Sequence, residues 1–200
     1  MVASRSLVDN TAFSMGLIIF GLILFVIGLV HRVPSVDEWD KYIFLYLNPL
    51  LSVFSRGFIY LWHLGTTPVA LVFVAMTFII SSQVGLRITL VYAGILIIES
   101  VVKKIVDRER PFFALSKVKL TQPTKPKDPS FPSGDAMRIS FLAVTIPTLF
   151  NLHWTASIAV CLMAAIICVN RIALGVHYPL DIIGGAGLGI LGAGCVLLII

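Results

Sequence analysis

TAFSMGLIIFGLILFVIGLV, residues 11–30, carries no charged side chain, and its reading decides the class of fold. About 20 apolar residues wound as a helix rise about 30 Å, the thickness of a bilayer's hydrocarbon core. The whole chain has the same character. Of its 200 residues 58% are hydrophobic and 12% charged, against about 45–50% and about 25% in soluble domains. A mean hydropathy of +0.99 excludes both a soluble globular domain and a disordered chain, since too little polar surface remains to cover a core. The net charge of +5 therefore belongs to a membrane protein, and where the charges sit matters more than their sum.

Outward from the first span, Val36–Leu47 is too short and too charged to cross, with Asp37, Glu38, Asp40 and Lys41 at one end. It suits a helix lying in the interface. Gly57–Leu86 breaks at Gly65-Thr66-Thr67-Pro68, giving a short segment that ends near Leu64 and a span from about Pro68 to Ser82. Arg87 marks a turn, and Ile88 to about Val106 forms the third span, with Glu99 and Lys103 inside it. Asp107–Pro132 is a long polar loop holding Lys117, Lys119, Lys125 and Lys127. Gly134–Phe150 and Trp154–Arg171 follow as spans joined through Asn151-Leu152-His153, and Asp181–Ile200 closes the chain. The expectation is an all-α integral membrane protein with six spans, a short interfacial helix between the first two, and both termini on one side. The glycines of the last span, including Gly185-x-x-x-Gly189, predict close packing against another helix.

Cys161, Cys168 and Cys195 lie in apolar runs without metal spacing and read as small core residues. The first apolar run is too long for a signal peptide and lacks a clear cleavage site, so it reads as a retained span. Trp39, Trp62, Trp154, Tyr42, Tyr46 and Tyr60 suit an aromatic belt. His31, His63 and His153 stand at span ends and read as interfacial.

Ionisable groups at span ends are costly, which makes them functional candidates. Lys103 and Arg110 are seven apart and share a face if the helix runs that far, with Pro111 ending it. Ser133-Gly134 opens a span, where a helix N-terminus offers free N–H groups to an anion. Arg171 ends the fifth span; His177 and Asp181, four apart, enter the sixth. Each has a bland alternative: cations snorkel to headgroups, a serine caps a helix, a His–Asp pair sits at an interface. Their convergence on one membrane face argues instead for an oxyanion site with a nucleophile.

Lys103-x6-Arg110-Pro111, Pro132-Ser133-Gly134 and Arg171-x5-His177-x3-Asp181 together resemble the three signature motifs of the type 2 phosphatidic acid phosphatase family of integral-membrane lipid phosphatases. The resemblance implies one membrane-embedded lipid phosphatase domain over residues 1–200, with its motifs within 103–181. It implies that Lys103, Arg110, Ser133, Gly134 and Arg171 bind phosphate, that His177 attacks phosphorus to form a phosphohistidine, and that Asp181 orients the ring. It implies no metal and no cofactor, a membrane lipid as partner, and neither nucleic acid nor an obligate protein partner. Asn170 stands where the third motif usually has Ser. More consequential, Asp135 stands where the second motif ends in the histidine that protonates the leaving group. A carboxyl can serve only if its pKa is raised, and Arg138 one turn along opposes that. A diphosphate's leaving phosphate, with a second pKa of about 6, needs that acid less than an alkoxide does. The expected substrate is therefore an isoprenyl diphosphate such as undecaprenyl diphosphate, or a related lipid phosphate if Asp135 takes up a proton in its pocket and serves as the catalytic acid, with substrate choice then lying elsewhere.

The alternatives are a phosphotransferase that passes phosphate to a lipid hydroxyl, and a silent lipid-phosphate binder or transporter. The resemblance favours the inner membrane with the site facing outward. A positive-inside count, with only Arg5 and Arg87 opposite the site, favours the cytoplasm.

Overall fold

The computed structural model describes residues 2–200, and the side chains of all but residues 2–9, 56 and 58; Arg5 of the charge count thus lies outside the described side chains. All regular structure among the described residues is helical, in the order α1 (Val2–Leu29), α2 (Pro34–Leu51), α3 (Ser55–Trp62), α4 (Thr67–Ile80), α5 (Ser82–Val106), α6 (Pro111–Ala114), α7 (Gly134–Leu149), α8 (Trp154–Ala173) and α9 (Pro179–Ile199). Among the described residues four stretches are long and apolar enough to cross a membrane: Asn10–Arg32, Ser82–Ala114, Trp154–Ala173 and Pro179–Ile199. The expected second and fourth spans form α4 and α7, which are shorter, at 14 and 16 residues.

The glycines of α9 set the packing. A Cβ on Gly185 would stand 2.2 Å from Ser133 O, and one on Gly189 2.1 Å from Met137 O, so α7 lies directly on this face. On another face Gly187 and Gly184 meet Gly21 and Gly28 of α1 with equally little room. Backbones approach this closely only where side chains are missing. Around these contacts Ile88, Tyr92 and Ile95 of α5 pack with Met137, Phe141 and Leu188 to form the core. Cys161, expected in a core, is exposed instead.

Three boundaries differ from expectation. The turn before α5 falls at Ser81, which is extended (φ −166°, ψ 135°), and Arg87 lies inside the helix, its Nη1 donating to Ile199 O at 2.6 Å. An arginine near a helix end reaches a neighbouring carbonyl as readily as it marks a loop. α5 itself stops at Val106, because Asp107 takes the left-handed conformation (φ 46°). Arg110 is therefore in extended chain and does not share a helical face with Lys103.

The third difference concerns α2, which is longer than the expected interfacial stretch and tied to the bundle. Asp40, Phe44 and Asn48, four residues apart, form its buried stripe. Phe44 meets the Tyr178 ring edge-on at 5.4 Å. Asn48 Nδ2 donates to Ile172 O at 2.9 Å, and Asn48 Oδ1 accepts from Lys119 N at 2.8 Å. These contacts hold the polar loop against the end of α8. There Gly175 (φ 82°) turns the chain under that loop and delivers His177 just ahead of α9.

Candidate active site

Most of the residues expected at the site converge from five chain segments onto one cavity of about 280 Å³. Its wall includes Lys103 from α5, Arg110 from the segment after it, Gly134 and Asp135 from the start of α7, Arg171 from the end of α8, and His177. Ser133 is fully buried and caps α7, accepting from Ala136 N at 3.4 Å; it does not line the cavity. Asp181 is likewise buried, standing behind the histidine.

His177 is the pivot. Arg110 Nη1 donates to His177 Nε2 at 3.2 Å, which leaves the ring proton on Nδ1. Nδ1 faces Asp181 Oδ2 at 3.6 Å. Burial, reinforced by the charge of Arg110, pushes the His177 pKa down to about 4 despite Asp181. A ring kept neutral with its Nε2 lone pair toward a cationic cavity has the form of a nucleophile.

The cations differ in how fully they are committed. Arg171 Nη2 pairs with Asp135 Oδ2 at 2.9 Å and donates to Gln122 Oε1 at 2.6 Å, while its Nε and Nη1 have no partner among the described residues. Those unmet buried donors favour an oxyanion. Lys103 pairs with Glu99 at 3.1 Å, as the spacing of four anticipates. Lys103 Nζ and Arg110 Nη2 also grip the carboxylate of Asp128, Arg110 at 2.9 Å. Burial alone would raise the Asp128 pKa, but Lys103 and Arg110 hold it at about 2. Asp135 is bound on both sides, to Arg171 and to Arg138 Nη2 at 3.0 Å.

Several participants escape a reading of motifs. Asp128 and Gln122 come from the polar loop, and Trp62, Thr66 and Thr67 from the break between α3 and α4. Trp62, expected in an aromatic belt, thus lines the cavity. His31, expected at an interface, is buried against Phe131 with ring centroids 4.7 Å apart, because its Nδ1 lies 2.7 Å from Gly28 O. Lys104, next to Lys103 in the chain, is exposed and off the cavity wall. Arg108 was hidden among loop charges, though the four-residue stripe of α2 signalled the buried Asp40 that it meets.

A buried histidine thus shares one cavity wall with Arg110 and Arg171 in an all-helical chain. Residues 84–200 match the PAP2 superfamily, and the chain belongs to that superfamily. It is 31% identical over 144 residues to the undecaprenyl-diphosphatase of Sulfolobus acidocaldarius, a match covering 72% of this chain and 66% of that one. It is 28% identical over 189 residues to phosphatidylglycerophosphatase B of Bacillus subtilis, covering 88% of each. The fold superposes on the crystal structure of a PAP2-type phosphatidylglycerolphosphate phosphatase from Bacillus subtilis with a TM-score of 0.69 and 25% identity, over 92% of this chain and 93% of that one. Aquifex aeolicus LpxE gives 0.62 and 28%, over 76% and 90%. The expectation of a hydrolase of lipid phosphates agrees with these phosphatases.

Proposed function

We propose that the chain is a single membrane-embedded, metal-independent lipid phosphatase that works through a phosphohistidine at His177. The observation that carries the reading is the placement of His177 Nε2 beside Arg110, with Asp181 behind the ring and Arg171 on the wall of the same cavity. Lys103, Arg110 and Arg171 hold the phosphate oxygens, and the N-terminal amides of α7 at Gly134 add to them. The bound phosphate takes over the two cations that Asp128 holds. Nε2 attacks phosphorus, the bond to the leaving oxygen breaks, and Asp181 stabilises the charged ring. Water then displaces the histidine and releases inorganic phosphate.

The leaving group points to the substrate. Asp135, in the position of the family's acid, is ion-paired to two guanidiniums and has no proton to give in this arrangement. A polyprenyl diphosphate expels a prenyl phosphate with a pKa of about 6, which needs no proton near neutrality. We read undecaprenyl diphosphate or a similar isoprenyl diphosphate as the substrate, in keeping with the Sulfolobus relative. The test is phosphate release by purified protein from undecaprenyl diphosphate, phosphatidic acid and phosphatidylglycerophosphate. The first is expected to be fastest, and His177→Ala is expected to abolish release. Faster release from either phosphomonoester overturns the substrate reading; an unaffected His177→Ala protein overturns the mechanism.

In the membrane, we read α1, α4, α5, α7, α8 and α9 as the six spans, with α2 along the interface. α4 and α7 rise only about 21 and 24 Å, which local bilayer thinning accommodates. The site is read as extracytoplasmic in the inner membrane, where a carrier lipid is recycled. Labelling of a cysteine placed at exposed Ser116 tests this, and labelling only from the cytoplasm reverses it.

A further inference from the structure

Arg108 is absent from the cavity wall, yet it pairs with more carboxylates than any cation there. Its side chain is 7% exposed; Nη1 donates to Asp181 Oδ1 at 2.7 Å, and Nη2 to Asp37 at 2.6 Å and Asp40 at 2.8 Å. Its guanidinium covers the Tyr178 ring at 4.2 Å. Asp40 in turn accepts from Leu180 N at 3.1 Å, joining α2 to the first turn of α9. We propose that Arg108 is a positioning residue for the His177–Asp181 pair, anchored through Asp40 and Asp37 so that α2 is a working part of the site. The proposal rests on reading His177 as the nucleophile.

Two features argue for this rather than for a simple brace. The first is geometric. Asp181 Oδ2 accepts from Tyr178 N at 2.9 Å while Oδ1 is held by Arg108, so the carboxylate cannot rotate away from His177 Nδ1. The second is electrostatic. Arg108 alone would neutralise Asp181 and compete with a positively charged ring for it. Asp37 and Asp40 take up that charge: three carboxylates (Asp37, Asp40, Asp181) face two cations (Arg108 and Lys41, paired with Asp37 at 2.6 Å), leaving one negative charge on the Asp181 side of the ring, opposite Arg110. That excess favours the ring when it carries the phosphoryl group.

The test uses the full chain in detergent, with undecaprenyl diphosphate as substrate. Arg108→Gln is expected to lower kcat about 10–100-fold, as loss of an orienting partner does. KM should stay within about twofold, because Arg108 does not touch the cavity. Arg108→Lys should recover part of the loss, and Arg108→Gln added to Asp181→Asn should cost almost nothing more. A folded Arg108→Gln protein with unchanged kcat, or additive effects in the double variant, overturns the proposal. If Arg108→Gln does not fold, Asp40→Asn carries the test: kcat is expected to fall at constant KM, and an unchanged kcat overturns it. Nitrogen-15 NMR of His177 supplies a readout independent of turnover. The wild-type ring should be protonated at Nδ1, as Arg110 at Nε2 requires, and the Nδ1 resonance should shift in Arg108→Gln as Asp181 loosens; an unshifted Nδ1 resonance counts against positioning. Wild type that releases no phosphate would refute the functional reading, and the Nδ1 resonance would still decide the role of Arg108.

Discussion

Arg171 and Asp135 are joined by an ion pair of 2.9 Å on the wall of the cavity that holds His177. The pair fixes the guanidinium and ties up the carboxyl in the position where the family has its general acid. On the proposed mechanism, substrate choice follows from leaving-group chemistry. Asp135→His should restore a proton donor, an effect worth about 10²–10⁴-fold where it is needed. The rate on phosphatidic acid relative to undecaprenyl diphosphate should rise at least about tenfold, after allowance for the lost ion pair. Steady-state rates of both proteins on both lipids measure this, and an unchanged ratio removes the leaving-group argument.

Arg171→Lys keeps the charge and loses the fork. A lysine cannot serve Asp135, Gln122 and an oxyanion together from a planar set of donors. One or two charged hydrogen bonds at about 1.5–3 kcal/mol each predict a fall in kcat/KM of at least about tenfold, with vanadate affinity falling in parallel.

Asp128 acts in the opposite sense. It occupies Lys103 and Arg110 in the structure, so a phosphate must displace it. Asp128→Asn should tighten competitive inhibition by inorganic phosphate about two- to thirtyfold, from about 0.2–1 kcal/mol for each part-exposed pair. Weaker inhibition would show instead that Asp128 helps to build the clamp.

Acid should act through His177. Its folded pKa of about 4 lies below the ordinary 6.5, so between these values the unfolded chain binds the proton that the folded chain refuses. Stability should therefore fall as pH drops from 6.5 toward 4, and the ring should remain neutral, and so nucleophilic, down to about pH 4. Histidine NMR titration checks the ring directly; a midpoint near 6.5 would contradict the burial argument.

Gly185→Ala should damage the site from behind. The added methyl meets Ser133 O at 2.2 Å and pushes on the backbone that starts α7. Overpacking of this kind costs about 1–3 kcal/mol, seen as a lower unfolding temperature in detergent together with a lower kcat/KM. Gly16→Ala, with nothing within 4 Å of the new carbon, should change neither.

How much of this was legible beforehand depends on how local each signal is. The apolar runs, the break at Gly65–Pro68, the glycine face of α9, the Glu99–Lys103 pair and the start of α7 at Ser133-Gly134 all depend on neighbours within a turn or two of helix. The sequence therefore disclosed an all-helical membrane chain and, on the cavity wall, Lys103, Arg110, Gly134, Asp135, Arg171 and His177. It did not disclose where α5 ends, since that depended on Asp107 adopting the left-handed conformation.

The sequence by itself determined the class of protein and the inventory of its chemistry, because hydropathy and motif spacing are written along one segment at a time. Only the tertiary structure decided the pairing: that Asp128 sits on Lys103 and Arg110, that Asp135 is spent on Arg171 and Arg138, and that Arg108 links Asp40 to Asp181. The partners of Arg108 and Asp128 lie 18 to 73 residues away in the chain. Each cation had several carboxylates within the sequence's reach, and packing of the glycine faces chose among them.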